Sequence, residues 1–145
     1  MELLLDDIDT FCTKTVLVIG DVMLDRYMYG EVSRISSEAP VPVVNIKNEH
    51  VSLGGAANTA NNIAALGGTA ILIGTAGNDA TKDILFAQLE KQNLRTDSIV
   101  IDTARKTTEK TRVVGNDQQI TRIDVENKDP VSHDIEKKVN LPLAS

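Results

Sequence analysis

Residues Leu53 to Gly68 read LGGAANTANNIAALGG, a glycine pair that runs directly into a helix of small residues. Gly54 and Gly55 let the backbone approach a ligand where any side chain would block it. The helix that follows presents free N–H groups and the positive end of its dipole to that ligand, with the amide of Asn58 in its first turn. A helix that only fills a core needs none of these features. The stretch therefore predicts a site for a small polar ligand.

The glycine pair matches neither of the common nucleotide-binding loops. No Gly-Lys-Ser/Thr sequence follows at the spacing of a P-loop, and the glycines do not directly follow the first predicted strand, as the dinucleotide fingerprint requires. A close-packed helix built on Ala56, Ala60 and Ala64 would need a similar sequence without any ligand. Taken alone, the stretch leaves both interpretations open.

The segments around this stretch alternate between buried strands and helices. A β-branched run from Thr15 to Gly20 is typical of a strand that is covered on both faces. The predicted elements are a short amphipathic helix at residues 2–12, strands at 15–20, 69–74 and 97–101, and helices at 55–66 and 78–93, the last capped by Asn78-Asp79. Strand, helix, strand, helix and strand in this order predict a parallel α/β sheet.

Two further segments predict a small β structure outside this sheet. Between residues 29 and 46, two prolines interrupt a short apolar alternation, so we expect a pair of short edge strands. Residues 107–114 and 118–125 alternate around a turn at 115–117 and predict a hairpin. The alternation places Lys110 and Arg112 on one face of the first hairpin strand.

Several polar side chains in these segments are candidates for ligand contacts. Asp21 stands at the carboxyl end of the first predicted strand, where open α/β sheets bind ligands, and Asp25 follows closely. Carboxylates only accept hydrogen bonds and so suit ligand hydroxyls, although Asp after Gly is also common in plain turns. Arg112 and Arg122 carry the planar fork that binds phosphate, with a solvated strand face as the plainer alternative.

Composition excludes several classes of function. The 145 residues are 41% hydrophobic, enough for one core, and the net charge of −6 disfavours general binding to nucleic acid or an anionic membrane. The lone Cys12 can form no internal disulfide, which favours a reducing compartment. No apolar run approaches the ~20 residues of a membrane span. His50 and His133 stand apart in the sequence, so no metal site is expected. We expect a cytoplasmic protein.

Several motifs together form a longer pattern. They are GDVMLDRY at residues 20–27, SRIS at 33–36 with EAPVPVV at 38–44, and GGAAN at 54–58. They resemble the ribokinase-like, PfkB-type carbohydrate kinases. Together with Asn116, Gln118, Gln119, Arg122 and Asp124, they are most similar to the D-glycero-D-manno-heptose 7-phosphate kinase domain of the bifunctional heptose kinase/ADP-heptose synthases. The resemblance covers roughly residues 5–126.

The resemblance implies a fold and a reaction. The fold is α/β, a mainly parallel sheet flanked by helices, with a small β lid at about residues 29–46 and 107–125. The lid of such kinases often doubles as a homodimer interface. The reaction transfers the γ-phosphoryl group of ATP, with Mg²⁺, to the anomeric hydroxyl of heptose 7-phosphate. The implied partners are therefore a sugar phosphate and a second copy, and neither nucleic acid nor a membrane.

The resemblance also implies roles for individual residues. The sugar hydroxyls would be contacted by Asp25, Gly54, Gly55 and Asn58, with Asp21 as a further contact. The substrate phosphate would be met by three lid cations, Arg34, Arg112 and Arg122.

The chain departs from this family in one respect. The Gly-Ala-Gly-Asp motif of these kinases, which carries the catalytic base and an anion hole, lies in the second half of their domain, and no such motif follows Asp124. We therefore expect residues 1–145 to be the amino-terminal portion of an incomplete kinase domain, with no catalytic residue and little of the ATP site. The alternatives are another PfkB-type sugar kinase and a non-catalytic sugar-binding or dimerisation module.

Overall fold

A computed structural model describes residues 10–140, so nearly all of the helix predicted at residues 2–12 lies outside the described range. A short 3₁₀ turn at Phe11–Thr13 precedes the first strand. The strands are β1 (Thr15–Ile19), β2 (Val22–Ile35), β3 (Pro42–Gly54), β4 (Thr69–Ala76), β5 (Ile99–Ile101), β6 (Thr108–Gly115) and β7 (Gln118–Val125). The helices are α1 (Gly55–Ala65), α2 (Ala80–Lys91) and α3 (His133–Asn140).

The first layer is a parallel three-stranded sheet in the order β1-β4-β5. Its core combines Val18, Leu72 and Ile99 with small residues of α1 and with Leu85 and Leu89 of α2. Ala57 and Ala60 are fully buried, because small side chains let α1 pack closely against the sheet. The predicted order of strands and helices in this layer is confirmed.

One face of this sheet departs from the prediction. The run from Thr15 is expected to be covered on both faces, but Leu17 and Ile19 of β1 remain 45% and 54% exposed. Ile71, which pairs with Leu17 in β4, is 40% exposed. Their alternate neighbours face the core, and within residues 10–140 no element covers the other side of β1. The expectation is therefore wrong for the part of the chain described.

The second layer is a mixed four-stranded sheet in the order β3-β2-β6-β7. Here the prediction of a pair of short edge strands near residues 29–46 is confirmed only for the edge position of β3; both strands are long, and β2 does not lie at the edge. The 14-residue β2 is a central strand, antiparallel to β3 and parallel to β6. The prolines cause no conflict, because Pro42 only begins β3, the position in which a strand tolerates the missing N–H. The segment near residues 29–46 is thus part of a longer pair of strands that extends from residue 22 to residue 54.

The predicted hairpin at residues 107–125 is confirmed as β6 and β7. Asn116 and Asp117 form its turn with φ angles of 51° and 62°, the left-handed pair of a type I′ turn. The Asn116 side chain also bonds the backbone of Val32, with its amide 3.2 Å from the carbonyl oxygen. This contact fastens the hairpin tip to β2.

Asp79 joins the two layers and confirms the predicted cap. Its carboxylate accepts hydrogen bonds from the amide of Lys82 in α2 at 3.0 Å and from the amide of Thr107 at 2.9 Å. Burial opposes its charge, but these amides outweigh the effect, so the pKa of Asp79 is lowered. The start of α2 is therefore held directly to the entry of β6.

Within residues 10–140 the helices are too short or too polar to cross a membrane.

Candidate functional site

The candidate site is a corner where both sheets meet the start of α1. The antiparallel pairing of β2 and β3 places Met23 opposite Gly54 and Asp25 opposite Ser52. The Ala56 amide, in the first turn of α1, donates to the carbonyl oxygen of Asp21 at 2.9 Å. These contacts bring together the carboxyl end of β1, the start of β2 and the glycine pair, although 33 positions separate Asp21 from Gly54 in the sequence.

The glycine pair has a structural reason of its own in this corner. A Cβ atom at Gly54 would lie 2.6 Å from Oδ2 of Asp25 and 2.8 Å from Cγ of Met23. Gly55 has a φ of 55°, and a Cβ atom there would collide with the carbonyl oxygen of Asp21. The pair therefore makes room for the candidate carboxylate and for the turn into α1, in addition to leaving backbone open to a ligand.

Asp25 is held in place by a cation from the neighbouring strand. Nη1 of Arg112 lies 2.6 Å from Oδ1 of Asp25, and both side chains are partly buried. The guanidinium also lies over the ring of Tyr27 at 5.1 Å, a favourable cation–π contact. Its hydrogen bond to Asp25 raises the pKa of Arg112. The pairing orients one carboxylate oxygen and leaves Oδ2 directed toward Gly54.

The opposite face of β2 carries a second ion cluster. Arg26 bonds Glu109 through Nε at 2.7 Å and also contacts Glu49. Glu109 accepts further hydrogen bonds from the hydroxyls of Thr81 and Thr111. The cluster ties β2, β3 and β6 to the first turn of α2 directly behind the Asp25 corner.

The remaining sequence-predicted residues are distributed around this corner. Asn58 is exposed in the first turns of α1, and Asp21 is exposed at the end of β1. Arg122 lies opposite Arg112 in the β6–β7 pairing, and its guanidinium bonds both oxygens of Asp124 at 2.9 Å. Arg34 is exposed at the far end of β2, nine residues or about 30 Å of strand from Asp25. Apart from Arg34, these residues lie on the elements that border the corner.

Two residues in the corner are missed by the sequence pattern. Tyr27 lies beneath Arg112, and Lys110 is the register partner of Asp25 on β6. The strand alternation already places Lys110 on the face of Arg112, which is the available signal. The sequence pattern does not show that β6 pairs with β2, and this pairing is what brings Lys110 beside Asp25.

A cavity of about 480 Å³ opens beside this corner at the carboxyl ends of β1 and β4. Asp21 and Met23 line one wall, Lys106 and Lys110 another, and residues 126–131 the outer side. The volume is in the usual range of a small-molecule site. Among the residues that the structure describes, no three His, Cys, Asp or Glu side chains are arranged to hold a metal ion.

Comparisons with known proteins identify the family of the chain. Residues 13–142 match the model of the pfkB family of carbohydrate kinases. The chain is 48% identical over 118 residues to the bifunctional protein HldE of Caulobacter sp. (strain K31), a match covering 81% of this chain and 24% of that relative. The chain thus spans about a quarter of the length of the curated relatives it matches.

Solved structures show the same fold over part of their length. A carbohydrate kinase from Agrobacterium tumefaciens superposes with a TM-score of 0.59 at 20% identity, covering 77% of this chain and 35% of that one. A fructokinase with bound ATP from Xylella fastidiosa gives a TM-score of 0.54 at 24% identity, covering 78% and 33%. At this identity the likeness concerns the fold.

Proposed function

This chain belongs to the pfkB family of carbohydrate kinases, and we propose that it forms the sugar side of a D-glycero-D-manno-heptose 7-phosphate kinase. The reaction would transfer the γ-phosphoryl group of ATP to the anomeric hydroxyl of that sugar, in a cytoplasmic protein. The match to HldE proteins at 48% identity supports this substrate over other sugars of the family.

The observation that carries the proposal is the oriented carboxylate of Asp25. Arg112 holds one of its oxygens at 2.6 Å, and the missing side chain of Gly54 leaves space at the other. A carboxylate with a free oxygen accepts hydrogen bonds from sugar hydroxyls. Gly55, Asn58 and Asp21 would supply further polar contacts around the same opening.

The phosphate contacts of the three lid arginines stay a prediction. Arg112 uses one of its five N–H donors on Asp25, which leaves others for a substrate phosphate. Arg122 would have to share its fork with Asp124, and Arg34 would need a substrate group reaching far along β2.

ATP supplies the transferred phosphoryl group, and Mg²⁺ would neutralise its phosphates. The fructokinase neighbour carries ATP, and Lys106 and Lys110 in the cavity beside Asp25 suit a polyphosphate by charge. The catalytic base of the family has no counterpart in residues 1–145 by motif. We therefore propose that this chain binds substrate without turning it over by itself.

Calorimetry with heptose 7-phosphate tests the sugar site. We expect binding by the unaltered chain and an affinity about tenfold weaker for Asp25→Asn, because a charge-assisted hydrogen bond contributes about 1.5–3 kcal/mol. Asp117→Asn, in the exposed hairpin turn, is the matched control and should bind normally. The same samples should show no ATP turnover.

Each result has a defined consequence. Equal affinity of Asp25→Asn and the unaltered chain would contradict the assigned carboxylate. Preference for an unphosphorylated sugar would keep the kinase family and remove the heptose assignment. Appreciable turnover would contradict the proposal that this chain is inactive alone.

We also propose that two copies associate through the mixed sheet. Ile123 and Val125 of β7 are 54% and 44% exposed, and their register places them on the Arg26 face, away from Asp25. Exposed apolar side chains beside an unpaired strand edge favour association.

Sedimentation tests this association. We expect a dimer that Ile123→Lys converts to a monomer, because the buried ammonium would lack a partner. Leu66→Lys is the control, since Leu66 is 61% exposed at the end of α1 and outside the lid. A monomeric unaltered chain, or a dimer unaffected by Ile123→Lys, would contradict the proposed interface.

A further inference from the structure

The cavity beside the Asp25 corner contains a cation that the proposed sugar contacts do not use. Lys110 lies directly beside Asp25 in the β2–β6 pairing, and Thr108 lies beside Met23. Because side chains alternate along a strand, Lys106, Thr108 and Lys110 form a row that leads from the cavity toward Arg112. All three line the cavity. The cavity therefore lies next to Asp25, on the strand face that also carries Arg112.

The other cations near this row each make a close ion pair with a carboxylate. Arg112 bonds Asp25 at 2.6 Å. Arg105, which also lines the cavity, bonds Asp102 at 2.8 Å with both side chains nearly buried. Lys128 bonds Glu126 at 3.1 Å and is mostly exposed.

Lys110 differs from these cations because its ammonium lies farther from the neighbouring carboxylate oxygens. Its Nζ atom is 3.7 Å from a Glu126 oxygen and 3.9 Å from an Asp124 oxygen, too far for hydrogen bonds. Each of those carboxylates is held closer by another cation, Asp124 by Arg122 at 2.9 Å and Glu126 by Lys128 at 3.1 Å. The Lys110 side chain is only 23% exposed. The ammonium is thus within ion-pair distance of two carboxylates but is too far from either for a hydrogen bond, and its unused donors favour an additional oxyanion.

Lys106 extends the same positive row at the entrance to β6. It is exposed, and its charge contributes to the lowered pKa of Asp79. Thr108 between the two lysines offers a hydroxyl donor to the same region of the cavity.

We propose that Lys110, together with Lys106 and Thr108, forms a phosphate subsite that receives a phosphate ester in the cavity beside Asp25. The phosphate is either that of the sugar phosphate or one of the nucleotide phosphates. The proposal rests on the proposed kinase function only for the identity of the ester. The phosphate would accept hydrogen bonds from the unused N–H groups of Lys110, while the neighbouring Asp25 carboxylate accepts hydrogen bonds from the sugar hydroxyls.

Titration of the unaltered chain with inorganic phosphate gives the first test. Amide resonances of residues 106–110 should shift in a ¹H–¹⁵N spectrum, and the response should weaken with salt because the attraction is electrostatic. This measurement needs no variant. Absence of any response at these amides would overturn the subsite.

Calorimetry on variants gives the second test and separates the two sources. Lys110→Gln should weaken the affinity for the phosphorylated ligand that occupies the subsite by about tenfold or more. Lys110→Arg should retain most of that affinity. Lys47→Gln, on the exposed part of β3, is the matched control and should not change binding. The ligands are heptose 7-phosphate, the same heptose without phosphate, and ATP.

The outcomes distinguish this proposal from the proposed function. A loss confined to heptose 7-phosphate assigns the subsite to the sugar, and a loss confined to ATP assigns it to the nucleotide. If heptose 7-phosphate does not bind but Lys110→Gln still weakens ATP, the heptose assignment fails and the subsite stands. Unchanged affinity of Lys110→Gln for both phosphorylated ligands overturns the subsite.

Discussion

Gly55→Ala is expected to lower the free energy of unfolding by about 3 kcal/mol. Two causes add at this position. The φ of 55° is a left-handed conformation that a residue with a Cβ atom adopts only at a cost, and the new methyl group would collide with the Asp21 carbonyl and lie 2.8 Å from Cε of Met23. Relief would require the turn to open, which would also separate the start of α1 from Asp21.

Denaturant unfolding followed by circular dichroism measures this effect. Gly20→Ala is the matched control, because the same substitution beside the same helix meets only the Cβ of Ala56 at 3.4 Å, an ordinary contact. We expect the control to remain close to the unaltered chain. Equal stability of the two variants would show that the corner does not need a left-handed glycine.

The pair Gly54 and Gly55 explains why part of the site can be predicted from the sequence. A glycine pair ahead of a helix predicts a place where backbone approaches a ligand. In the folded chain, Asp25 and Met23 also occupy the space that a side chain at Gly54 would need. Both reasons lead to the same corner, because the residue for which the glycine makes room is the candidate sugar contact itself.

The parallel layer is predictable because its strands and helices carry clean hydrophobic patterns. Strand β2 is not, since both of its faces carry charge: Asp25 on one side and the Arg26 cluster on the other. Such a strand shows no apolar alternation, so the pattern of residues 20–27 predicts only a strand end and a loop. The neighbourhood of Asp25, Arg112 and Lys110 depends on β2 pairing with β6, which no spacing in the sequence reveals.

The sequence also does not reveal which cations of the site are paired with carboxylates. Arg112 and Arg122 are candidates by their phosphate-binding fork, but each bonds a carboxylate in the structure, Asp25 and Asp124 respectively. The sequence pattern marks Lys110 only as a neighbour on the same strand face. Which cation has donors left over depends on distances that are set when the strands pair.

Arg26→Met is expected to lower the free energy of unfolding at neutral pH by about 2 kcal/mol, allowing for partial solvent screening. The substitution would leave Glu109, whose side chain is 13% exposed, without its main cation. Arg95→Met is the matched control, because its ion pair with Asp97 is similarly short at 2.6 Å but mostly exposed. We expect no measurable loss of stability there.

The pH dependence of the stability loss tests whether the Arg26–Glu109 ion pair causes it. The hydrogen bond from Arg26 is the largest influence on Glu109 and lowers its pKa, against the opposing effect of burial. The folded chain therefore binds fewer protons than the unfolded chain at acidic pH. The stabilisation by the pair is complete above the ordinary glutamate pKa of about 4.3 and disappears as the pH falls through the lower folded value.

Unfolding of both chains between about pH 6 and pH 3 gives the decisive comparison. The difference in stability between the unaltered chain and Arg26→Met should be largest near neutral pH and shrink in acid, as Glu109 becomes protonated in both. The lowered pKa of Asp79 produces a similar slope in each chain, so it cancels in the difference. A difference that stays constant with pH would mean that Arg26 stabilises β2 through packing of its stem rather than through Glu109. In that case the ion cluster would not be what fixes β2 behind Asp25.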